Sequence, residues 1–297
     1  MIVALLCVAL AAGLAAAILG DFGRSLDSVA GRQDQAQARL LARGAVDWAR
    51  NVLADDKKRT SVDHDREMWA VRVPPTPVGE GSVGGEISDR SGLFNLNNLA
   101  PEGRPDATAT AQFGRLLSTV GASADAARLA DALAAWIGRR PTAQPSAAAS
   151  AGGTMEGSAA NGSLLDPAEL RRVAGFDEAL VARLAPFVTA LPAPSRINVN
   201  TAPAEVLVAL VPGLELAAAR VLVAERERAW FKDLADFSTR LSAHLPAGVP
   251  PSEAALDVQS RHFVVTGRSS FGGATVRMEV LLDRRDNWPA IVWQRIL

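Results

Sequence analysis

The N-terminal stretch is the feature that most constrains how this chain can fold. From Met1 to Gly20 it reads "MIVALLCVALAAGLAAAILG" and contains no charged residue. A helix rising about 1.5 Å per residue needs this length to cross a bilayer, and a buried core helix rarely stays apolar on every face for so long. A cleaved secretory signal is the alternative, but neither a basic leader nor a clear cleavage signal flanks the run. We therefore predict a transmembrane helix.

The helical pattern continues beyond the apolar run, through "DFGRSLDSVAGRQDQAQARLLARGAVDWARNVLADD". Leu26, Val29, Ala36, Leu40 and Trp48 recur at spacings typical of one helix face. The sequence thus predicts a single helix of roughly 50 residues, apolar first and amphipathic later, whose apolar stripe covers a sheet.

The rest of the chain alternates between strand and helix patterns. Strand-like stretches are "MWAVRV", "SVGGEISDRSG", "SRHFVVTGRSS", "ATVRMEVLLDRRD" and "AIVWQRIL". Between the first two and the last three of these stretches, apolar residues recur with a helical period. They form two apolar faces, one of Phe113, Leu116 and Leu117 and one of Leu129, Leu133, Trp136 and Ile137. The fold class predicted is α+β, with a sheet built from both ends of the chain and a helical domain inserted between them.

A low-complexity stretch, "PTAQPSAAASAGGTMEGSAANGS", follows the second apolar face. It is poor in large apolar residues, so it has little to pack into a core. We predict a mobile surface loop there.

Two later segments form a weak repeat, "DPAELRRVAGFDEALVARLAPFV" and "APAEVLVALVPGLELAAARVLVAERE". Each reads as a helix, a glycine turn and a second helix, which predicts tandem helix-hairpin-helix units. A phosphate-binding hairpin usually has a second glycine two residues after the first, but Asp177 and Glu215 occupy those positions. The net charge is -1, with 31 Lys+Arg against 32 Asp+Glu, so no basic field attracts nucleic acid. The hairpins are interpreted as packing units.

Catalytic and metal-binding patterns are weak. Asp63, His64, Asp65 and Glu67 could hold a divalent cation, but a solvated charged loop is the favoured interpretation. Ser91 lacks a G-x-S-x-G context, and Asp89 is interpreted as a turn residue. The only cysteine, Cys7, lies in the apolar run. We expect no enzyme activity, no cofactor and no metal.

The segments "VALLCVALAAGLAAAILGDF", "ISDRSGLFNLNNL", "INVNTAPAEVLVAL" and "SRHFVVTGRSSFGGATVRMEVLLDR" together resemble the protein K family of minor pseudopilins of the bacterial type II secretion system. The resemblance implies a pilin-like fold with a helical insert, single-pass anchoring in the inner membrane and a periplasmic bulk. It also implies a place at the tip of a pseudopilus beside I-type and J-type minor pseudopilins and the major pseudopilin. The prepilin peptidase would act on any leader upstream, and nucleic acid is not an expected partner.

The resemblance also implies a division of the chain and a set of structural residues. The division is a transmembrane helix at 1–20, a pilin-like part at 21–100, an inserted helical domain at 101–255 and C-terminal strands at 256–297. Membrane anchoring and filament packing fall to Ile2, Val3, Leu5, Leu6, Val8, Leu10, Leu14, Ile18 and Leu19. The motif positions are Asp89, Gly92, Phe94, Asn95, Asn97, Asn98, Asn198, Asn200, Thr201, Pro203, Glu205 and Leu207.

Two features of the family bear on metal binding and on position in the filament. Many members carry an acidic loop suited to calcium after the "AWI" helix end, but here Glu156 is the only acid between Arg139 and Leu165, so no metal is expected. Most pseudopilins have a Glu at the fifth mature residue and the K type does not. With a start at Ile2 or Val3, that residue is Leu6 or Cys7.

The alternative function is of a different class, a membrane-tethered helix-hairpin-helix protein that binds DNA in a competence-like uptake system. Salt-sensitive binding of DNA near micromolar concentration in a gel-shift assay would favour it over the pseudopilin interpretation.

Deleting the stretch from Ala143 to Ser163 should leave the rest of the chain folded, because the stretch buries little apolar surface. We expect the melting temperature to change by less than about 3 °C, which corresponds to roughly 1 kcal/mol. A larger loss in a thermal unfolding experiment would show that the stretch is packed.

Overall fold

The structure is a computed structural model that describes residues 1–138, 162–245 and 253–297. The predicted surface loop lies outside the described residues, except for its last two positions. The α-helices are α1 (Ile2–Arg59), α2 (Ala107–Thr119), α3 (Ala126–Gly138), α4 (Glu178–Leu184), α5 (Ala204–Leu210), α6 (Leu216–Arg228) and α7 (Leu234–Ser242). The strands are β1 (Val73–Val78), β2 (Gly81–Asp89), β3 (Phe94–Asn95), β4 (Val188–Thr189), β5 (Ile197–Asn198), β6 (Leu256–Asp257), β7 (His262–Phe271), β8 (Ala274–Asp283) and β9 (Ala290–Ile296).

Five strands form one antiparallel sheet in the order β1-β2-β7-β8-β9. Strands β2 and β7 pair along their length, from Gly81 opposite Phe271 to Asp89 opposite Phe263. The chain therefore leaves the sheet at the end of β2 and returns beside the same point at the start of β7. The described helices α2 to α7 lie in this excursion, together with the short parallel pairs β3–β4 and β5–β6.

Helix α1 has 58 residues, close to the predicted length, but its sheet-facing stripe differs from the predicted one. Val29, Ala36, Leu40 and Trp48 are exposed, and the side chain of Leu26 lies outside the described residues. The buried face is made mainly of small residues instead: Ala38, Ala42, Val46, Ala49 and Leu53. Alanines bring the helix backbone close enough for the Ser269 hydroxyl to donate a 2.7 Å hydrogen bond to the Ala38 carbonyl. The prediction was wrong because it favoured large side chains, whereas contact with a sheet here requires small ones.

One strand begins later than the sequence predicted. "MWAVRV" was expected to be a strand, but Met68–Ala70 forms a 3₁₀ turn and the strand β1 is the proline-rich run "VPPTPV". Proline cannot donate to a ladder, so it is tolerated only at a sheet edge or a bulge. Strand β1 is such an edge, and its register shifts between Val73 and Thr76.

The helices of the excursion surround a second hydrophobic core. The predicted faces of α2 and α3 are confirmed: Phe113, Leu116, Leu117, Leu129, Leu133 and Ile137 are buried, and Trp136 packs against them partly buried. Phe94 stacks on Phe113 with ring centroids 5.6 Å apart, which joins the start of the excursion to this core.

The two segments of the weak repeat have different first halves. In the first segment, the 3₁₀ helix Pro167–Arg172 stands where an α-helix was predicted, and α4 follows it. In the second segment, α5 and α6 are both α-helical. The 3₁₀ helix ends at Arg172, and the next residue, Val173, adopts an extended conformation.

Replacing Leu207 and Leu210 by Asp should unfold the helical core, because both side chains are buried on α5. Each change removes apolar packing and buries a carboxylate, which we expect to destabilise by on the order of 3–5 kcal/mol. Helicity followed by circular dichroism measures the effect, and Val221→Asp at a half-exposed position of α6 is the control. Unchanged helicity in the double variant would contradict the packing role.

Candidate assembly site: membrane anchor and junction of sheet and helices

The first third of α1 is an apolar rod with no protein around it. Residues Ile2–Leu19 have a mean hydropathy of 2.8 and none of this window is buried. Every predicted anchor side chain is more than 60% exposed: Ile2, Val3, Leu5, Leu6, Val8, Leu10, Leu14, Ile18 and Leu19. Exposing so much apolar surface to water is unfavourable at about 25 cal/mol per Å². By length and composition this segment can cross a membrane.

Asp89 closes the end of β2 and is more than the turn residue that the sequence indicated. Its Oδ1 accepts from the Ser91 backbone N–H at 2.7 Å, and its Oδ2 accepts from the hydroxyls of Thr201 and Ser260, both at 2.5 Å. Burial raises the pKa of this carboxyl to about 6, and the three hydrogen bonds oppose the shift. One carboxyl group thus connects the sheet to both ends of the excursion.

Gly92 lies where two backbones meet. A Cβ atom at this position would stand 2.8 Å from the Thr201 carbonyl carbon, so only glycine allows the approach. The contact holds Thr201 within reach of Asp89, and the motifs around residues 92 and 201 are therefore parts of one junction.

Three asparagines after Gly92 hydrogen-bond the backbone of segments that are distant in sequence. Asn97 donates to the carbonyls of Leu164 and Leu191 at 2.9 and 2.8 Å and accepts from the Leu164 N–H at 2.8 Å. Asn95 accepts from the Leu191 N–H at 3.0 Å. Asn98 donates to the Ser195 carbonyl at 2.8 Å and accepts from the Ser195 N–H at 3.0 Å. Three amide side chains thus satisfy loop backbone that no sheet ladder reaches.

Asn198 and Asn200 also hydrogen-bond distant segments, at the other side of the junction. Asn198 donates to the Asp63 carbonyl at 3.0 Å and to the Ser260 hydroxyl at 2.7 Å. Asn200 both donates to and accepts from the Phe231 backbone, at 2.9 and 2.8 Å. These bonds tie the β5 segment to the loop after α1 and to the loop after α6.

The remaining motif residues build α5. Pro203 precedes the first turn, Leu207 is fully buried, and Glu205 lies 3.7 Å from an Arg220 nitrogen. Their contacts lie within the helical excursion, whereas Asp89, Gly92, Thr201 and Asn198 meet at the junction.

A buried ionic cluster lies beside Asp89, where the sequence favoured a solvated loop. Asp63 is 3% exposed and Glu67 9%, so the solvated-loop interpretation was wrong for these two residues. The Arg284 guanidinium forms ion pairs with Asp63 and, at 2.8 Å, with Asp56. Glu67 accepts from the Trp69 indole N–H at 2.7 Å and from the Thr60 hydroxyl at 3.0 Å. Burial and the neighbouring carboxylate of Glu67 raise the pKa of Asp56 to about 6.

The same cluster is where a cation could be held. Oxygens of Asp56, Asp63 and Glu67 lie within 4.8 Å of one another. The Arg284 guanidinium already supplies a positive charge to two of the three carboxylates, and Glu67 is bonded to protein donors. The arrangement is that of an internal ion-pair network, and we assign no metal to it.

Sequence reasoning missed three residues of this junction: Ser260, Arg226 and Arg284. Arg226 is buried and donates to the carbonyls of Val199 and Ala202 at 2.7 and 2.5 Å. Arg284 is 221 positions from Asp63 along the chain. No local pattern links such distant residues, although the acids in "VDHDRE" were a signal that a cationic partner was needed.

One of the two acidic hairpin turns has a structural explanation. Gly175 and Gly213 adopt φ angles of 97° and 81°, and Asp177 caps α4 by accepting from the Leu180 N–H at 2.7 Å. A carboxylate used as a helix cap needs no external ligand.

The fold and this junction define a class: an α+β protein that combines a membrane-length N-terminal helix with a sheet and a helical excursion. Two family models described as "Type II secretion system (T2SS), protein K" match residues 92–193 and 197–259. The chain is 31% identical to the type II secretion system protein K of Pseudomonas aeruginosa over 295 residues, covering 95% of this chain and 86% of that protein. It is 31% identical to the Klebsiella pneumoniae protein over 316 residues, covering 99% and 94%.

The fold is also similar to a chain in the crystal structure of the GspK-GspI-GspJ complex from enterotoxigenic Escherichia coli. The TM-score is 0.71 at 23% identity, over 91% of this chain and 99% of that one. The chain belongs to the type II secretion system protein K family.

His262 is a buried side chain at the junction that lacks a polar partner among the described residues. It is fully buried at the start of β7, and neither ring nitrogen has a hydrogen-bond partner there. Burial lowers the pKa of this imidazole to about 4.

Replacing His262 by Leu should therefore change how stability depends on pH. The folded state keeps the ring neutral, whereas the unfolded chain protonates it below about pH 6.5. The free energy of unfolding of the wild type therefore falls by up to about 3 kcal/mol as the pH drops from 6.5 to 4. The raised pKa values of Asp56 and Asp89 act in the opposite direction, since their contribution is lost as pH rises from 3.8 to 6.

Both carboxyls remain in the variant, so comparing the two proteins isolates the histidine. Urea unfolding at pH 7 and pH 4.5 is the measurement. We expect the variant to equal or exceed wild type at pH 7, because an unsatisfied polar ring is removed, and to gain further on it at pH 4.5. A stability difference that does not change between the two pH values would contradict a neutral buried histidine.

Proposed function

We propose that this chain is a minor pseudopilin that occupies the tip of a periplasmic pseudopilus and has a structural, non-catalytic role. The observation that carries the proposal is the continuity of α1. A single helix begins as an apolar span at Ile2 and ends at Arg59, where it is packed against the sheet. A helix of this kind fixes the height of the folded part above the membrane.

The location and partners follow from the family. We place the apolar span in the bacterial inner membrane and the rest of the chain in the periplasm. The crystal structure with the similar fold contains GspI and GspJ beside GspK, and we infer that I-type and J-type pseudopilins, with the major pseudopilin, are the partners of this chain. The prepilin peptidase acts on it if a leader lies upstream.

We further propose a pilin-like division of the chain: span 1–20, pilin-like part 21–100, helical insert 101–255 and closing strands 256–297. The support is that β2 and β7 are neighbours while the helices lie between them in sequence. Within the insert we interpret the α5–α6 pair, with Gly213 at positive φ, as a helix-hairpin-helix packing unit. The α4 segment is a shortened relative of it.

The motif residues are proposed to keep the insert at a fixed angle to the sheet. Asp89 and Gly92, where the chain leaves the sheet, contact Thr201 near the middle of the insert. Asn198, also within the insert, donates to Ser260, where the chain returns to the sheet, and Asn95, Asn97 and Asn98 bind loops of the insert. A filament tip that pushes against other proteins needs such a rigid connection, because a hinge would absorb the displacement.

The tip position is supported by what the span lacks. No residue from Met1 to Gly20 carries a carboxylate. With a mature start at Ile2 or Val3, Leu6 or Cys7 stands where most pseudopilins carry Glu. A carboxylate at that depth costs roughly 2.5–3.5 kcal/mol unless neutralised. A chain without one is stable alone in the bilayer and offers no acid to a subunit above it.

Disulfide crosslinking within the membrane tests the position. Cys7 is exposed on α1 and is the only cysteine, so single cysteines along the helices of the other pseudopilins can be scanned against it. A subunit added below is shifted toward the cytoplasm, and a higher-numbered position of its helix then lies level with Cys7. We expect crosslinks to such positions only.

The Cys7→Ala variant is the control and should give no product. Crosslinks from Cys7 to lower-numbered positions would place a subunit above this chain and refute the tip assignment.

A further inference from the structure

A pocket lies between the helical excursion and the face of the sheet that α1 does not cover. Met278, Val280 and Leu282 of β8 share a hydrophobic core with α1. Glu279 and Leu281 alternate with them along the strand, so their side chains point to the opposite face. The pocket on that face has a volume of about 340 Å³. We call it the sheet–excursion pocket and define it by Arg90, Asp166, Leu191, Leu281, Trp293 and Arg295.

The pocket has one wall from the sheet and one from the excursion. Arg90 directly follows β2, and Trp293 and Arg295 are on β9. Asp166 is the N-cap of the 3₁₀ helix Pro167–Arg172 in the excursion. The Arg295 guanidinium pairs with the Asp166 carboxylate at 2.7 Å and so connects the two walls. A molecule bound in the pocket would contact both parts of the protein.

The floor of the pocket is apolar. Leu191, Val264 and Leu281 form a small buried cluster, and Trp293 packs against it partly buried. All four residues line the pocket. Pockets that bind small organic molecules combine such apolar surface with a few polar groups, and their volumes begin at roughly 300 Å³. The sheet–excursion pocket has this composition and size.

Almost all charged groups of the pocket neutralise one another. The ion pairs among its described lining residues are Asp166–Arg295 at 2.7 Å, Glu279–Arg295 at 2.7 Å and Arg171–Glu178 at 4.0 Å. Glu279 also lies 4.0 Å from Arg277, outside the pocket. Negative and positive charges are therefore balanced within these groups.

Arg90 is the lining residue that these pairs leave out. Its guanidinium forms no hydrogen bond or ion pair with any residue in the described part of the chain. Glu279 and Asp89 attract it, but Glu279 is bonded to Arg295, and both oxygens of Asp89 accept from other donors. Arg90 is partly buried, and burial lowers the pKa of its guanidinium. A charge withdrawn from water without a paired anion is unfavourable, so this group favours an anionic ligand.

The anion that fits a single unpaired guanidinium carries one negative charge. A phosphate carries up to two, and it would lie near the carboxylates of Asp166 and Glu279 with one free cation to receive it. A carboxylate carries one charge and matches the planar fork of Arg90 through two parallel hydrogen bonds. The apolar floor favours a carboxylate that is attached to an apolar group.

We propose that the sheet–excursion pocket binds a monocarboxylate with an apolar body. Its carboxylate pairs with Arg90, and its body lies on Leu191, Leu281 and Trp293. A free carboxylic acid and the C-terminal residue of a polypeptide share this chemistry. The site is independent of the position that the chain takes in a filament.

Two matched probes separate the carboxylate from the apolar body. N-acetyl-leucine carries a carboxylate beside an apolar side chain, and N-acetyl-leucinamide has the same body without the charge. Isothermal titration calorimetry with the full-length chain in detergent at pH 7 measures both affinities. We expect the acid to bind at least about tenfold more tightly than the amide, which corresponds to about 1.4 kcal/mol.

Variants of the two walls test the assigned contacts. Arg90→Gln should abolish the preference for the acid. Ala182 is exposed on α4 and lines the pocket, so Ala182→Glu adds a negative charge from the other wall and should weaken the acid alone. Arg268→Gln is the matched control, because Arg268 is exposed on β7 and does not line the pocket, and it should keep the tenfold preference. Thermal unfolding checks that each variant is folded, and Ala182→Glu tests the site even if Arg90→Gln misfolds.

A peptide probe identifies the source of the ligand. The peptide Gly-Ser-Gly-Ser-Leu with a free C-terminus offers the same last residue as N-acetyl-leucine. Tighter binding of the peptide would identify a polypeptide C-terminus, tighter binding of N-acetyl-leucine would identify a small acid, and either result supports the site.

Three results would overturn the proposal. The first is equal binding of acid and amide by the wild type. The second is the absence of binding by both the acid and the peptide up to about 10 mM. The third is a preference for the acid that survives in the folded Arg90→Gln or Ala182→Glu variant.

Discussion

The guanidinium of Arg284 is the group on which the junction depends. It pairs with Asp63 and Asp56, donates to the Ser260 carbonyl at 2.8 Å and lies 4.6 Å from the Phe263 ring centre. It thereby joins the last turns of α1, the loop after α1 and the end of β8. Removing one partner of a buried ion pair typically costs about 3–5 kcal/mol, since the other charge remains buried and unpaired. Asp63 also accepts from the Ser260 N–H, which connects this pair to Asp89.

The junction and the alanine face of α1 together attach the long helix to the folded part of the chain. Ala38, Ala42 and Ala49 hold α1 against the sheet over its second half, and Lys57 donates to the carbonyls of residues 284 and 285 at its end. Both sets of contacts attach the second half of α1 to the sheet. Leu40 and Trp48 stay exposed on the side of α1, because small residues make most of the sheet contact.

Much of the fold could be predicted from periodicity. The length of α1, the buried faces of α2 and α3, and strands β2, β7, β8 and β9 were all expected from local patterns. The errors have physical causes. The sheet face of α1 was assigned to large side chains although close packing required alanine, and the strand at Val73–Val78 was missed because prolines exclude most strand positions but not an edge.

The sequence by itself determined the apolar span, the alternation of helix and strand, and the family motifs, because each is encoded within a few neighbouring residues. Only the tertiary structure decided what the polar residues do. Asp63 and Glu67 look solvated in a charged segment, and Asp89 looks like a turn residue, yet all three lie at the junction. Their roles depend on burial and on partners such as Arg284, 221 residues away. Folding alone brings those groups together, because the free energy of a buried charge depends on what surrounds it in space and not on its neighbours in sequence.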